Sequence, residues 1–124
     1  MTGMIQGFPA SDWVRARNIA RDVLVERARR PAAQTITYSD LVARLPIAIE
    51  PNDPRLSALL DEISRMEYAE GRGFLTVLVV HKRGDLMPGE GFFSMAAECG
   101  ASFTDRERFW SDALNVVLFA WRSR

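Results

Sequence analysis

One segment sets the terms for the rest of this chain. Phe74-Leu75-Thr76-Val77-Leu78-Val79-Val80 is an apolar, β-branched run with no helical period. Gly71 and Gly73 break the chain before it, and His81-Lys82-Arg83-Gly84-Asp85 begins a turn after it. A run of that length between turn residues reads as a buried strand, the strongest strand signal here. Most of the remaining sequence is spaced for helices, which makes the expected fold class α+β.

The helices are well punctuated. Ser11 is placed to cap a first helix over 12–29, where Trp13, Ala16, Ala20, Val23, Leu24 and Ala28 keep the helical period until Pro31 stops it. After a short β-prone Thr35-Ile36-Thr37, the Thr37 hydroxyl faces the first free amides of a short helix, and Asp40 complements its positive end. Tyr38, Leu41, Val42 and Leu45 give that helix one buried face before Pro46. Asp53-Pro54 is a cap with proline in the first helical position, and Leu56, Leu59, Leu60, Ile63 and Met66 stripe a helix over 54–68. Pro88-Gly89-Glu90-Gly91 closes a hairpin-like loop, and a short helix over 92–99 ends at Gly100. Thr104 with Glu107 forms a capping box for a last helix over 105–122, striped by Trp110, Ala113, Leu114, Val117, Leu118 and Trp121. With no repeat and no long linker, residues 1–124 read as a single domain, with a flexible N-terminus over 1–10, a core over 35–93 and a C-terminal helix over 104–122.

Charge and cysteine content narrow the function. Sixteen basic and sixteen acidic side chains cancel, so there is no global field to attract nucleic acid or anionic lipid, and any such binding needs a local patch. The single Cys99 allows no internal disulfide, and no Cys/His cluster suits zinc, so a reducing cytoplasm is the expected compartment. No signal peptide and no membrane span is expected. His81 at the end of the strand could pair with Glu90 across the loop as acid and base, but a lone strand-end histidine makes a weak catalytic site. Cys99 lies near a helix C-terminus, where the dipole disfavours a thiolate. The Gly84–Gly91 loop lacks either nucleotide-binding glycine spacing. The expectation is a non-enzymatic protein with no cofactor and no metal.

The order of elements in the middle is that of a winged helix-turn-helix, with a small antiparallel sheet or hairpin flanked by N- and C-terminal helices. In that reading the helix after Asp53 is the recognition helix and Lys82–Gly91 the wing, so Arg55, Lys82 and Arg83 would contact DNA, with the arginines of helix one meeting phosphates. Electrostatics oppose a standard version, because residues 31–70 carry Arg44, Arg55 and Arg65 against seven carboxylates, a net of minus four. If Arg55, Lys82, Arg83 and the helix-one arginines converge on one face, DNA gains, and if Asp61, Glu62, Glu67 and Glu70 interrupt that face, it loses.

Thr35–Val42 (TITYSDLV), Arg55 opening a helix, the buried strand and the loop ending at Phe92 together resemble the winged-helix domain of alkylguanine alkyltransferases and alkyltransferase-like proteins over residues 35–93. The resemblance implies that Arg55 matches the arginine that helps flip a damaged base. The family's reactive Pro-Cys-His-Arg stretch falls on Leu75–Leu78, which has neither nucleophile nor base, so alkyl transfer is not implied. The whole chain also resembles a family of small uncharacterised bacterial proteins, through Thr37-Tyr38-Ser39, a Leu-rich helix ending in Ile63-Ser64, Pro88–Phe93 and Phe109-Trp110. That resemblance implies no activity.

A protein partner is the other expectation. Leu86 and Met87 at a loop tip are unusual for a plain turn. Val14, Ile19 and Val25 on the first helix and Phe109, Val116 and Phe119 on the last lie off the core stripes, and helices apolar beyond one face are central or at an interface. The simplest partner is a second copy of the chain, packed as a homodimer. The leading functional expectation is therefore an interaction or regulatory module, and the alternative is a DNA-binding winged helix.

Overall fold

In the computed structural model, which describes residues 3–124, the Phe74–Val80 run is buried throughout, yet only its last two residues form a strand. Leu75–Leu78 is a turn of 3-10 helix. Its backbone groups find partners that a ladder would otherwise supply. The Ser64 hydroxyl accepts from the Thr76 N–H at 3.1 Å and shares a 2.6 Å hydrogen bond with the Thr76 hydroxyl, while the Trp110 indole N–H donates to the Val77 carbonyl at 3.1 Å. Periodicity alone cannot separate a short buried helix from a buried strand, and here side chains on neighbouring helices decide it.

Around that turn pack α1 (Ala10–Ala28), α3 (Pro54–Ala69) and α5 (Arg106–Trp121), joined by α2 (Tyr38–Val42) and α4 (Glu90–Glu98). The fold is α+β: these helices are accompanied by two two-stranded sheets among the described residues. β1 (Met4–Ile5) pairs antiparallel with β2 (Phe8–Pro9), whereas β3 (Ile36–Thr37) pairs parallel with β4 (Val79–Val80), with Ile36 opposite Val79 and Thr37 opposite Val80. The middle pair is not the antiparallel hairpin expected, because α2 and α3 form a crossover between its strands and return the chain in the same direction. After β4 no ladder follows. The His81 N–H donates to the Met87 carbonyl at 2.9 Å, Asp85 accepts from the Met87 N–H at 3.0 Å, and the chain enters α4.

The caps follow the sequence in part. Thr37 accepts from the Asp40 N–H at 3.1 Å and Asp53 from the Arg55 N–H at 2.9 Å, as expected. α5 is capped by Asp105, which accepts from the Arg108 N–H at 3.1 Å, in place of the Thr104–Glu107 box. α1 starts at Ala10 without a side-chain cap, because the N-terminal hairpin leads straight into it. Of the stretch 1–10 expected as flexible, residues 1–2 lie outside the described residues, and the rest turns at Gln6-Gly7. Both have positive φ, 54° and 83°, the condition for a two-residue hairpin loop. The hairpin lays Phe8 near Trp13, ring centroids 6.2 Å apart, and carries the chain onto the core.

Candidate functional site

α5 turns Ala113, Val117 and Trp121 inward at four-residue spacing and leaves Val116 and Phe119 on its outer face, 52% and 70% exposed. The neighbouring backbone packs closely against this helix. Gly73, at φ +84°, lies so close to α5 that a Cβ there would stand 2.9 Å from Val116 Cγ1. The next residue, Phe74, stacks on Tyr68 at 4.4 Å, and Tyr68 is itself 46% exposed. Val116 and Phe119, one helical turn apart, thus form a small apolar patch on the outer face of α5, with the Arg122 guanidinium 5.4 Å from the Phe119 ring.

Where α5 turns Trp121 inward, four guanidinium groups gather around its indole. Arg21, Arg29, Arg72 and Arg124 lie 5.6, 5.2, 5.6 and 6.0 Å from the Trp121 ring centre. Their buried counter-charge is Glu67. Its carboxylate accepts from Arg21 Nε at 2.5 Å and from Arg72 Nε on its other oxygen, and only 1% of the residue is exposed. Hydrogen bonding to Glu67 raises the Arg72 pKa further above its ordinary value. The sequence placed Glu67 only among the carboxylates that could interrupt a DNA-binding face, and this role was missed. Its signal was position, since Ile63 and Glu67 share a helix face.

The second feature is a cleft of about 550 Å³ between the first turn of α3 and the loop that follows β4. Tyr38, Ser57, Asp61, His81, Lys82 and Arg83 are among the side chains around it. The Tyr38 hydroxyl accepts from the Gly89 N–H at 2.8 Å, and burial pushes its pKa up, opposed by that hydrogen bond. Burial likewise raises Asp61, with Arg65 opposing and Glu98 adding to the shift. Asp53 is lowered by its hydrogen bonds from Arg55, and Glu90 by those from Arg106.

The residues expected to act together are distributed as follows. Lys82 and Arg83 line the cleft with the first turn of α3, but Asp53, Asp61 and Glu90 line it too. The Arg55 guanidinium is held by Asp53 at 2.7 Å and by the Gln6 carbonyl at 3.2 Å, and lies 4.6 Å from the Phe8 ring centre. Arg21 of α1 sits at the other end of α3, paired with Glu67, and Arg29, just past the end of α1, lies over Trp121. Twelve residues of helix separate Arg55 from Glu67, about 18 Å. His81 and Glu90 do not pair: the Glu90 carboxylate is taken by Arg106 at 2.5 and 2.8 Å, while the His81 ring lies 5.2 Å from that of Tyr38. Leu86 is 56% exposed with φ +57°, whereas Met87 is half-buried. Phe109, expected on a contact face, is half-buried and stacks on Phe103 at 4.4 Å in a cluster with Phe92 and Phe93. Val14 is exposed on α1, Ile19 half-buried and Val25 buried.

No family model, curated protein or solved structure matches the chain. Among the described residues no helix is long and apolar enough to cross a membrane.

Proposed function

We propose that this chain is a non-enzymatic module of the cytoplasm that binds a protein partner through the outer face of α5. The observation that carries the reading is Phe119. It is a large aromatic side chain standing mostly in water one turn from Val116, on a helix whose core stripe is already satisfied by Ala113, Val117 and Trp121. Contiguous apolar surface of this kind on a small domain marks an interaction site, and aromatic anchors carry most of the energy of such contacts.

A photoreactive phenylalanine analogue at position 119 tests it in producing cells. A discrete protein adduct is expected at 119, absent when the same analogue replaces exposed Ser94 on α4, and lost when Val116→Asp is added. Adducts no stronger at 119 than at 94 would refute the reading. Light scattering on the purified protein adds the stoichiometry: a particle of twice the monomer mass that dissociates with Phe119→Asp makes a second copy the partner.

A DNA-binding winged helix is the second reading, supported by Lys82 and Arg83 beside the first turn of α3. It competes with the carboxylates in the same cleft and with the engagement of Arg55 by Asp53 and Gln6. Titration of duplex DNA over a salt series decides it, since phosphate contacts weaken steeply with salt.

A further inference from the structure

We infer that the outer face of α5 packs against the same face of a second copy of this chain, with the two helices antiparallel, an inference that rests on the protein-binding reading above. The face holds its residues in a definite order. At about 100° per residue, Asp112, Asn115, Val116 and Arg122 all point within about 60° of the Phe119 direction, while Ala113, Val117 and Trp121 turn the other way into the core. Arg122 is the C-cap but keeps helical angles, φ −58° and ψ −37°, so it continues the row. Along the axis the row reads acidic, apolar, basic: Asp112, then Val116 and Phe119, then Arg122.

Such a row complements its own reversal. About a two-fold axis crossing α5 midway between Val116 and Phe119, Val116 of each copy faces Phe119 of the other, the reciprocal contact of an isologous interface. Asp112 lies about 8 Å before that axis along the helix and Arg122 about 7 Å after it, so Asp112 of one copy comes opposite Arg122 of the other. Packed helix axes stand about 8–10 Å apart, a gap that an arginine and an aspartate span together. Both groups are exposed, and among the described residues neither has an opposite charge within ion-pair distance. The two Arg122 side chains start about 14 Å apart along the helix, beyond the Debye length of about 10 Å. Arg108 lies one turn farther out than Asp112 and stays outside the contact.

Other arrangements fit less well. Parallel packing would set Asp112 on Asp112 and Arg122 on Arg122, and like charges brought together in an interface are disfavoured. A duplex phosphate backbone would face Asp112 and leave Val116 and Phe119 without apolar cover. The contact is nevertheless small. One pair of 16-residue helices, about 24 Å long, falls below the roughly 1,200 Å² of a stable interface, so a weak dimer with Kd of about 100 µM is expected.

Sedimentation equilibrium of the whole chain from about 10 µM to about 1 mM tests it, with the mass expected to rise from one chain towards two. Phe119→Asp and Val116→Asp should each weaken association tenfold or more and hold the chain monomeric. Asp112→Arg and Arg122→Asp should each weaken it about tenfold at low salt, because each places two like-charge contacts in the dimer. Mixed in equal amounts, these two charge variants should pair with each other at least as tightly as the parent does with itself. The chain carrying both changes should dimerise like the parent. Val14→Asp, on exposed surface of α1, should change nothing. All of these positions are exposed, so circular dichroism melts should match the parent.

The inference is overturned if the protein stays monomeric at about 1 mM, if a dimer survives Phe119→Asp, or if the mixed charge variants associate no better than either alone. Adducts at position 119 to a different protein, with a monomeric particle, would refute the second copy alone and leave the protein-binding reading standing. Absence of adducts would remove that reading itself.

Discussion

Glu67→Gln should be among the most damaging conservative changes in this protein. The carboxylate is buried on α3 and holds Arg21 from α1 and Arg72 from the segment leading to the 3-10 turn, so it ties three parts of the chain together. Glutamine keeps the shape but removes the charge, and it turns one of two acceptor oxygens into a donor facing a guanidinium N–H. Removing one partner of a buried ion pair costs about 3–5 kcal/mol. Both arginines are partly exposed and can recover some hydration, which favours the lower end, about 3 kcal/mol. For 124 residues a total stability of about 6–18 kcal/mol is expected, so this one atom exchange removes a sixth to a half of it. The midpoint of thermal unfolding should fall by about 10–15 °C. Urea unfolding followed by the fluorescence of Trp13, Trp110 and Trp121 measures the loss, with an unchanged slope confirming that only stability moved. A triple change, Arg21→Met with Glu67→Leu and Arg72→Met, should recover most of it, since the penalty lies in charge left unpaired. A Glu67→Gln loss below about 1 kcal/mol would refute the reasoning, because it would mean that water and not Glu67 satisfies the two arginines.

Three further outcomes follow from other sites. Gly73→Ala combines a positive φ with a Cβ forced against Val116, so a loss of about 2 kcal/mol is expected in the same urea assay, and a neutral result would mean that α5 does not approach this backbone as closely as described. Leu86 holds a left-handed conformation at an exposed tip, so Leu86→Gly should be neutral or stabilising by up to about 1 kcal/mol, whereas a clear loss would show that the side chain packs. The pKa of Asp61 is raised by burial, so the folded state holds its proton more tightly than the unfolded chain, and the resulting stability is present below the ordinary aspartate pKa and lost as pH rises through the folded value. Asp61→Asn should therefore stabilise the protein at pH 7 and not at pH 3, and an equal effect at both would contradict the assignment.

Local signals account for most of the helices. The apolar stripes of α1, α3 and α5 and the Thr37 and Asp53 caps act within a few residues, and the structure honours them within one or two positions, whereas α2 ends at Val42, short of the Leu45 turn expected before Pro46. The first break came at Phe74–Val80. Its residues are strand-forming, but the choice between strand and 3-10 turn depended on Ser64 and Trp110 reaching its backbone from 12 and 33 residues away. The Asp105 cap is a smaller case, where one residue of register decided which side chain met the open amides.

The candidate surface divides in the same way. Val116 and Phe119 were legible because their angular distance from the core stripe is fixed by the helix itself. Phe109 satisfied the same rule, yet it is taken up by Phe103, which precedes α5 and whose approach no periodicity encodes. The gathering of Arg21, Arg29, Arg72 and Arg124 around Trp121 had no local signature at all. The sequence by itself determined which segments are helical and which face of each seeks the core, because those follow from bonds and side chains a few residues apart. The tertiary structure alone decided which charges are paired, which apolar side chains stay in water and where cations gather, because each depends on chain segments brought together only by folding.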